Sequence, residues 1–198
     1  MDNLFISIFN IIETEEIKSK EDFDNLIKYL TNHPTPLREA CAYKLEDIYC
    51  DNFLDEKVLT TLLNAITDIN PNISRSICNI IKKSVTLKEQ LCPKIILNIE
   101  NLIGQLPETQ RKQNNKNHAK NKILFALYWL MEALFYCYEE QYRENIVKII
   151  NKTIAFCDFT IREKSAQLLT KVDNPPTNLI KCIKNDSNFY VNFYAKFM

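Results

Sequence analysis

A nine-residue phrase occurs twice in this chain, and it limits the fold more than any other feature. Leu37-Arg38-Glu39-Ala40-Cys41-Ala42-Tyr43-Lys44-Leu45 and Ile161-Arg162-Glu163-Lys164-Ser165-Ala166-Gln167-Leu168-Leu169 align place by place. An aliphatic residue leads, Arg-Glu follows, small residues hold the fifth and sixth places, and Leu closes the ninth. Weaker copies run from Ile73 to Ile81, from Ala119 to Leu127, and onward from Val191. The copies start at 37, 73, 119, 161 and 191. A unit that recurs every few tens of residues cannot bury its apolar face alone and needs stacked neighbours.

Helical periodicity surrounds each copy. Leu4, Phe5, Ile8, Phe9 and Ile12 share one helical face in the first segment. Ser19 caps a helix ending near Leu30, and Thr35-Pro36 starts one ending near Tyr49. Further helices are predicted over 55–67, 71–84 (behind Asn70-Pro71), 141–156, 159–172, 176–184 and onward from Phe189. The third pair is irregular: Pro93 should start or kink a helix over 87–103, and Gly104 reads as its C-terminal cap. Residues 105–117 lack an apolar period and read as a loop, after which helix resumes near His118. Gly104 is the single glycine of the 198 residues. That excludes a glycine-built phosphate loop and disfavours a turn-rich sheet fold.

The charges balance overall but not along the chain. Residues 1–60 hold 6 Lys/Arg against 13 Asp/Glu, and residues 61–198 hold 19 against 12. An acidic end and a basic end invite head-to-tail contact between copies or two partners of opposite charge. There are seven cysteines with no CxxC pair, and several fall on apolar stripes, where a reduced thiol acts as a small hydrophobe. The start Met1-Asp2-Asn3-Leu4 is not that of a signal peptide, so a reducing cytoplasm is the expected setting. The longest apolar run, Ile123–Tyr138, is short for a membrane span and is interrupted by Glu132. No membrane association is expected.

The phrase resembles the second helix of a HEAT repeat. Leu37-Arg38 and Ile161-Arg162 carry the aliphatic–Arg start, and Asp186-Ser187-Asn188-Phe189-Tyr190-Val191 is HEAT-like too. Ile73-Ser74, Ala119-Lys120 and Val191-Asn192 depart from the pattern. The resemblance implies an all-α, right-handed superhelix of about five helical hairpins over 19–198, with a basic loop inserted at 105–117. Residues 1–18 would form a capping helix and connector. It also implies that Arg38 and Arg162 pair with acidic residues inside the stack, with Asp68 or Asp158 as the expected partners.

Residues that carry catalysis are scarce. His33 and His118 are the only histidines, and neither has a Cys or His at metal-ligand spacing. Glu15-Glu16 and Glu139-Glu140 are adjacent in sequence and point apart on a helix, unlike a working acid–base pair. No enzyme, metal or cofactor is expected.

The functional expectation rests on the third, seventh and tenth places of the phrase, which should lie outside the buried stripe. They hold Glu39, Tyr43 and Glu46, then Arg75, Asn79 and Lys82, then Asn121, Phe125 and Tyr128, then Glu163, Gln167 and Thr170. Phe125 and Tyr128 stand out as large rings at mostly polar places. Either they form an exposed hot spot, or the inserted loop or first helix covers them. Tyr43, Glu46, Arg75, Lys82, Phe125 and Tyr128 are thus the candidates for binding a protein partner, as an adaptor or scaffold would. Arg111, Lys112, Lys116, Lys120 and Lys122 form a basic stretch suited to phosphates or an acidic partner. The alternative is nucleic-acid engagement of the HEAT-like DNA alkylpurine glycosylase kind. Zero net charge and a lone tryptophan, Trp129, argue against it.

Overall fold

The computed structural model describes residues 3–106 and 118–198, the side chains of His118, Ala119 and Lys120 excepted. The described residues are helical, with no strands. The chain divides into two compact units, Met1–Leu91 and Cys92–Met198.

In the first unit, α1 (Asn3–Glu13) lies against α3 (Thr35–Ile48), and α3 lies against α5 (Pro71–Lys83). Helices α2 (Lys20–Tyr29) and α4 (Glu56–Ile66) back onto α3 and α5 respectively. Local chemistry places the helix starts: Ser19 accepts from the Asp22 amide, Asp55 from Val58, and Asn70 from Asn72. Helix α3 begins one residue earlier than Thr35-Pro36 capping requires. Pro34 holds the cap position and makes no side-chain bond there. Leu4, Ile8 and Ile11 of α1 turn inward, while Phe5, Phe9 and Ile12 face solvent. The first helix is therefore apolar on two sides, not on a single stripe.

Helix α6 (Val85–Gln105) contains the division between the units. It runs straight on in sequence through Pro93, which is exposed and removes one backbone donor without ending the helix. Gly104 is not the cap expected of it. It stays within the helix, and a Cβ there would meet nothing within 4 Å.

The second unit repeats the layering. Helix α7 (His118–Cys137) packs on α9 (Phe159–Leu169), and α9 packs on α11 (Phe189–Phe193). Helix α8 (Arg143–Thr153) backs onto α9, and α10 (Thr177–Lys184) onto α11. Among the described residues, no helix is long and apolar enough to cross a membrane.

The phrase is a packing rule. Its first, fifth, sixth and ninth places are buried in α3 (Leu37, Cys41, Ala42, Leu45), α5 (Ile73, Ile77, Cys78, Ile81) and α9 (Ile161, Ser165, Ala166, Leu169). Buried Ser165 is satisfied by donating to the Ile161 carbonyl at 2.8 Å and lying 2.7 Å from the Thr153 hydroxyl. In α7 the rule weakens: Leu127 is buried, but Ile123 and Leu124 are half-buried.

The second place of the phrase holds a clamp, built twice. Arg38 donates through Nε to Asp68 at 2.8 Å and through Nη2 at 3.0 Å, while Nη1 reaches the His33 carbonyl. Arg162 donates through Nε to Asp186 at 2.7 Å and through Nη2 at 3.1 Å. Its Nη1 bonds the carbonyls of Phe156 and Cys157. Each Asp also accepts the amide two residues on, Asn70 or Asn188, and that Asn caps the next helix. Asp158 is not a partner of either arginine as expected. It caps α9, accepting from the Thr160 amide at 2.9 Å.

Burial disfavours the Asp186 carboxylate, but Arg162 and the Asn188 amide outweigh it and hold its pKa below the usual value. A lowered pKa adds stability above the unfolded aspartate value, and that stability is lost as pH falls through the folded value. Asp186→Asn is therefore expected to cost about 3 kcal/mol at neutral pH, because it leaves Arg162 mostly buried without its charge partner. The variant should also lose less stability than the parent between about pH 4 and 2. Urea unfolding across that range checks both; parallel acid limbs would contradict the assignment.

Candidate functional site

The α7–α9 junction lacks the clamp. Asp68 and Asp186 each stand five residues before the first place of the next copy; before α9 that position is Phe156, which is buried. An ion pair takes over further along both helices, with Lys164 eight residues past Phe156 and Glu132 twelve past Lys120. Lys164 of α9, at the fourth place, is buried and bonds the Glu132 carboxylate of α7 and Gln167 at 2.9 Å. Tyr136 donates to the other Glu132 oxygen at 2.8 Å. The Lys164 ammonium also sits 4.8 Å from the Tyr128 ring centroid, close enough for cation–π attraction.

Burial works against the Lys164 charge, yet the Glu132 carboxylate outweighs it and raises the pKa. The group stays an ammonium at neutral pH, which makes it an anchor and not an amine nucleophile. Burial also pushes the nearby Tyr194 phenol up, with the Glu163 charge adding to the shift.

Above this anchor a groove of about 350 Å³ opens, lined by Leu124, Phe125, Tyr128 and Trp129, with Asn121, Asp158 and Thr160 at its edge. Phe125 and Tyr128 meet Trp129 edge-on at 6.4 and 5.2 Å between centroids. Phe125 and Tyr128 are neither freely exposed nor covered: each is half-buried and lines the groove.

The remaining candidates separate. Tyr43, Arg75 and Lys82 are exposed in the first unit. Glu46 is committed to the stack, accepting from Asn79 of α5 at 2.9 Å. Glu39 likewise accepts from Asn70 and Asn72, and the Asn72 bond leads in lowering its pKa. The third and tenth places of α3 therefore tie it to α5 and its cap, while those of α5, Arg75 and Lys82, stay exposed. Lys122 is exposed. Arg111, Lys112, Lys116 and the Lys120 side chain lie outside the described residues.

Sequence reasoning missed Asp158 and Thr160 as groove residues, and Lys164 with Glu132 as its support. Two signals pointed at the pair: Glu132 breaks an apolar run, and Lys164 replaces the Ala40 and Ser76 of other copies.

Glu132→Leu and Lys164→Met should each cost about 3 kcal/mol, whereas the two together should recover most of it. Denaturation followed by Trp129 fluorescence measures this cycle. Additive losses would show that the two side chains are not coupled.

No protein-family model and no curated protein matches the chain. Among solved structures, the chain is similar in fold to an engineered protein determined by a structural genomics consortium. The TM-score is 0.53 at 14% identity, covering 100% of this chain and 95% of that one.

Proposed function

We propose that the chain is a HEAT-like helical-repeat module, a right-handed superhelix of hairpins, that binds a protein partner and catalyses nothing. The superhelix reading is supported by the buried places of the phrase recurring in α3, α5 and α9, and by the twice-built Arg–Asp clamp. The binding reading is carried by one observation. The junction without the clamp has half-buried aromatic rings facing an open groove, with polar side chains at its edge. Rings held by packing lose little freedom on binding, which favours them as anchors. The fitting occupant is an apolar or aromatic side chain of a partner segment, flanked by groups that bond Asn121, Asp158 or Thr160.

Asp158 at the rim favours this reading over nucleic acid, whose phosphates a carboxylate repels. Burial pushes the Cys41 and Cys92 thiols up, that of Cys92 to about 12, so these two act as inert core groups and not as nucleophiles.

Affinity capture from native lysate tests the groove. Phe125→Ala and Tyr128→Ala are expected to reduce capture of the partner at least tenfold while keeping helicity and cooperative melting; Lys122→Glu should leave it intact. Undiminished capture by both alanine variants would overturn the groove assignment. Tight duplex binding at low salt, lost at physiological salt, would favour nucleic acid instead.

A further inference from the structure

Two apolar surfaces outside the groove remain open, one in each unit. On α1, Phe5, Ile6, Phe9 and Ile12 face solvent, with Phe5 59% exposed. In the second unit, Phe159, Phe189, Tyr190, Phe193 and Phe197 make a continuous aromatic strip, with Phe189 69% exposed. Successive rings touch: Phe159 stacks on Tyr190 at 6.5 Å, Phe189 meets both Tyr190 and Phe193, and Phe193 meets Phe197 at 5.4 Å. Contiguous exposed rings of this kind mark an interaction surface, because water contact with them is costly.

Their flanks carry opposite charge. Residues 13–24, which follow α1, hold six Asp/Glu against two Lys, and Glu13, Glu15, Glu16 and Glu21 are exposed. Lys196 lies 5.2 Å from the Phe193 ring centroid, and α10, which packs against the segment carrying the strip, bears exposed Lys181 and Lys184. The one acidic residue among 181–198, Asp186, is occupied by Arg162. The units as wholes follow suit: residues 1–91 carry 10 Lys/Arg against 15 Asp/Glu, and residues 92–198 carry 15 against 10.

We infer that the aromatic strip of one copy docks on the α1 face of a second copy, head to tail. Strip against strip would oppose three lysines to three lysines, and α1 against α1 would oppose glutamates to glutamates. Only the heterologous pairing brings apolar surface together while matching unlike charge at its edges. Such an interface leaves one free face at each end of a pair, so assembly continues with concentration unless a ring closes. The inference is independent of the groove, since none of its residues lines it.

Sedimentation velocity in reductant, over about two decades of concentration, reads the outcome. The parent should gain mass with concentration. Phe5→Asp/Phe9→Asp (a dead head) and Phe189→Asp/Phe193→Asp (a dead tail) should each remain monomeric. Mixed, they should form a 1:1 dimer and nothing larger, because each keeps the face that the other lacks. Charge reversal supplies a second reading that spares the apolar packing. Glu16→Lys/Glu21→Lys and Lys181→Glu/Lys184→Glu should each weaken association about tenfold, and the two together in one mixture should restore it. A parent that stays monomeric, a mixture that stays monomeric, or a single-face variant that still associates overturns the proposal.

Discussion

The Arg–Asp clamp is the interaction around which α3 meets α5 and α9 meets α11. A second helix arrives with two unsolved problems nearby: the carbonyls of the connector before it, and the start of the next second helix. One guanidinium answers both, because its planar fork bonds backbone carbonyls on one edge and a carboxylate on the other. Arg38 joins the His33 carbonyl to Asp68, and Arg162 joins the Phe156 and Cys157 carbonyls to Asp186. The carboxylate then holds the amide of Asn70 or Asn188, and that Asn caps the following helix. Connector, helix and cap form one chain of charge-assisted bonds. Lysine at either place would lose the second edge, which is why the recurrence of Arg is structural and not a sign of substrate binding.

The junction without this device differs in kind. With Phe156 at the clamp position and Lys120 at the second place of α7, no Arg–Asp pair can form there. The Glu132–Lys164 pair lies further along the helices, leaving the near ends of α7 and α9 filled by rings instead of a polar lock. A buried ion pair contributes little net stability but fixes register, since any slip strands a charge. The groove opens at this junction, and of its lining residues Tyr128 is the one that the Lys164 ammonium approaches.

Much of the fold was legible because the phrase encodes burial directly. Alternation at its first, fifth, sixth and ninth places follows helix geometry, and no tertiary knowledge is needed to read it. Partner identity is different. Asp158 and Asp186 both precede a copy of the phrase, but Asp158 stands three residues before its first place and Asp186 five. Two residues decide whether a carboxylate caps its own helix or reaches an arginine on the preceding one. Lys164 was invisible for another reason: lysine is rarely buried, and only a carboxylate from α7, 32 residues away, makes it so. The outer places misled in turn because a neighbour's Asn side chains reach Glu39 and Glu46, which periodicity within one helix cannot show.

The groove and the aromatic strip are separate surfaces, yet they meet at one helix start. Asp158 and Thr160 edge the groove, and Phe159 between them points the other way and stacks on Tyr190. The bonds that cap α9 fix all three, since Thr160 gives both its amide and its hydroxyl to Asp158. A second copy seated on the strip would press on Phe159 and bear on the same turn that shapes the groove's edge. Any change in affinity that one surface imposed on the other would be returned by the same factor, as linkage requires of coupled sites.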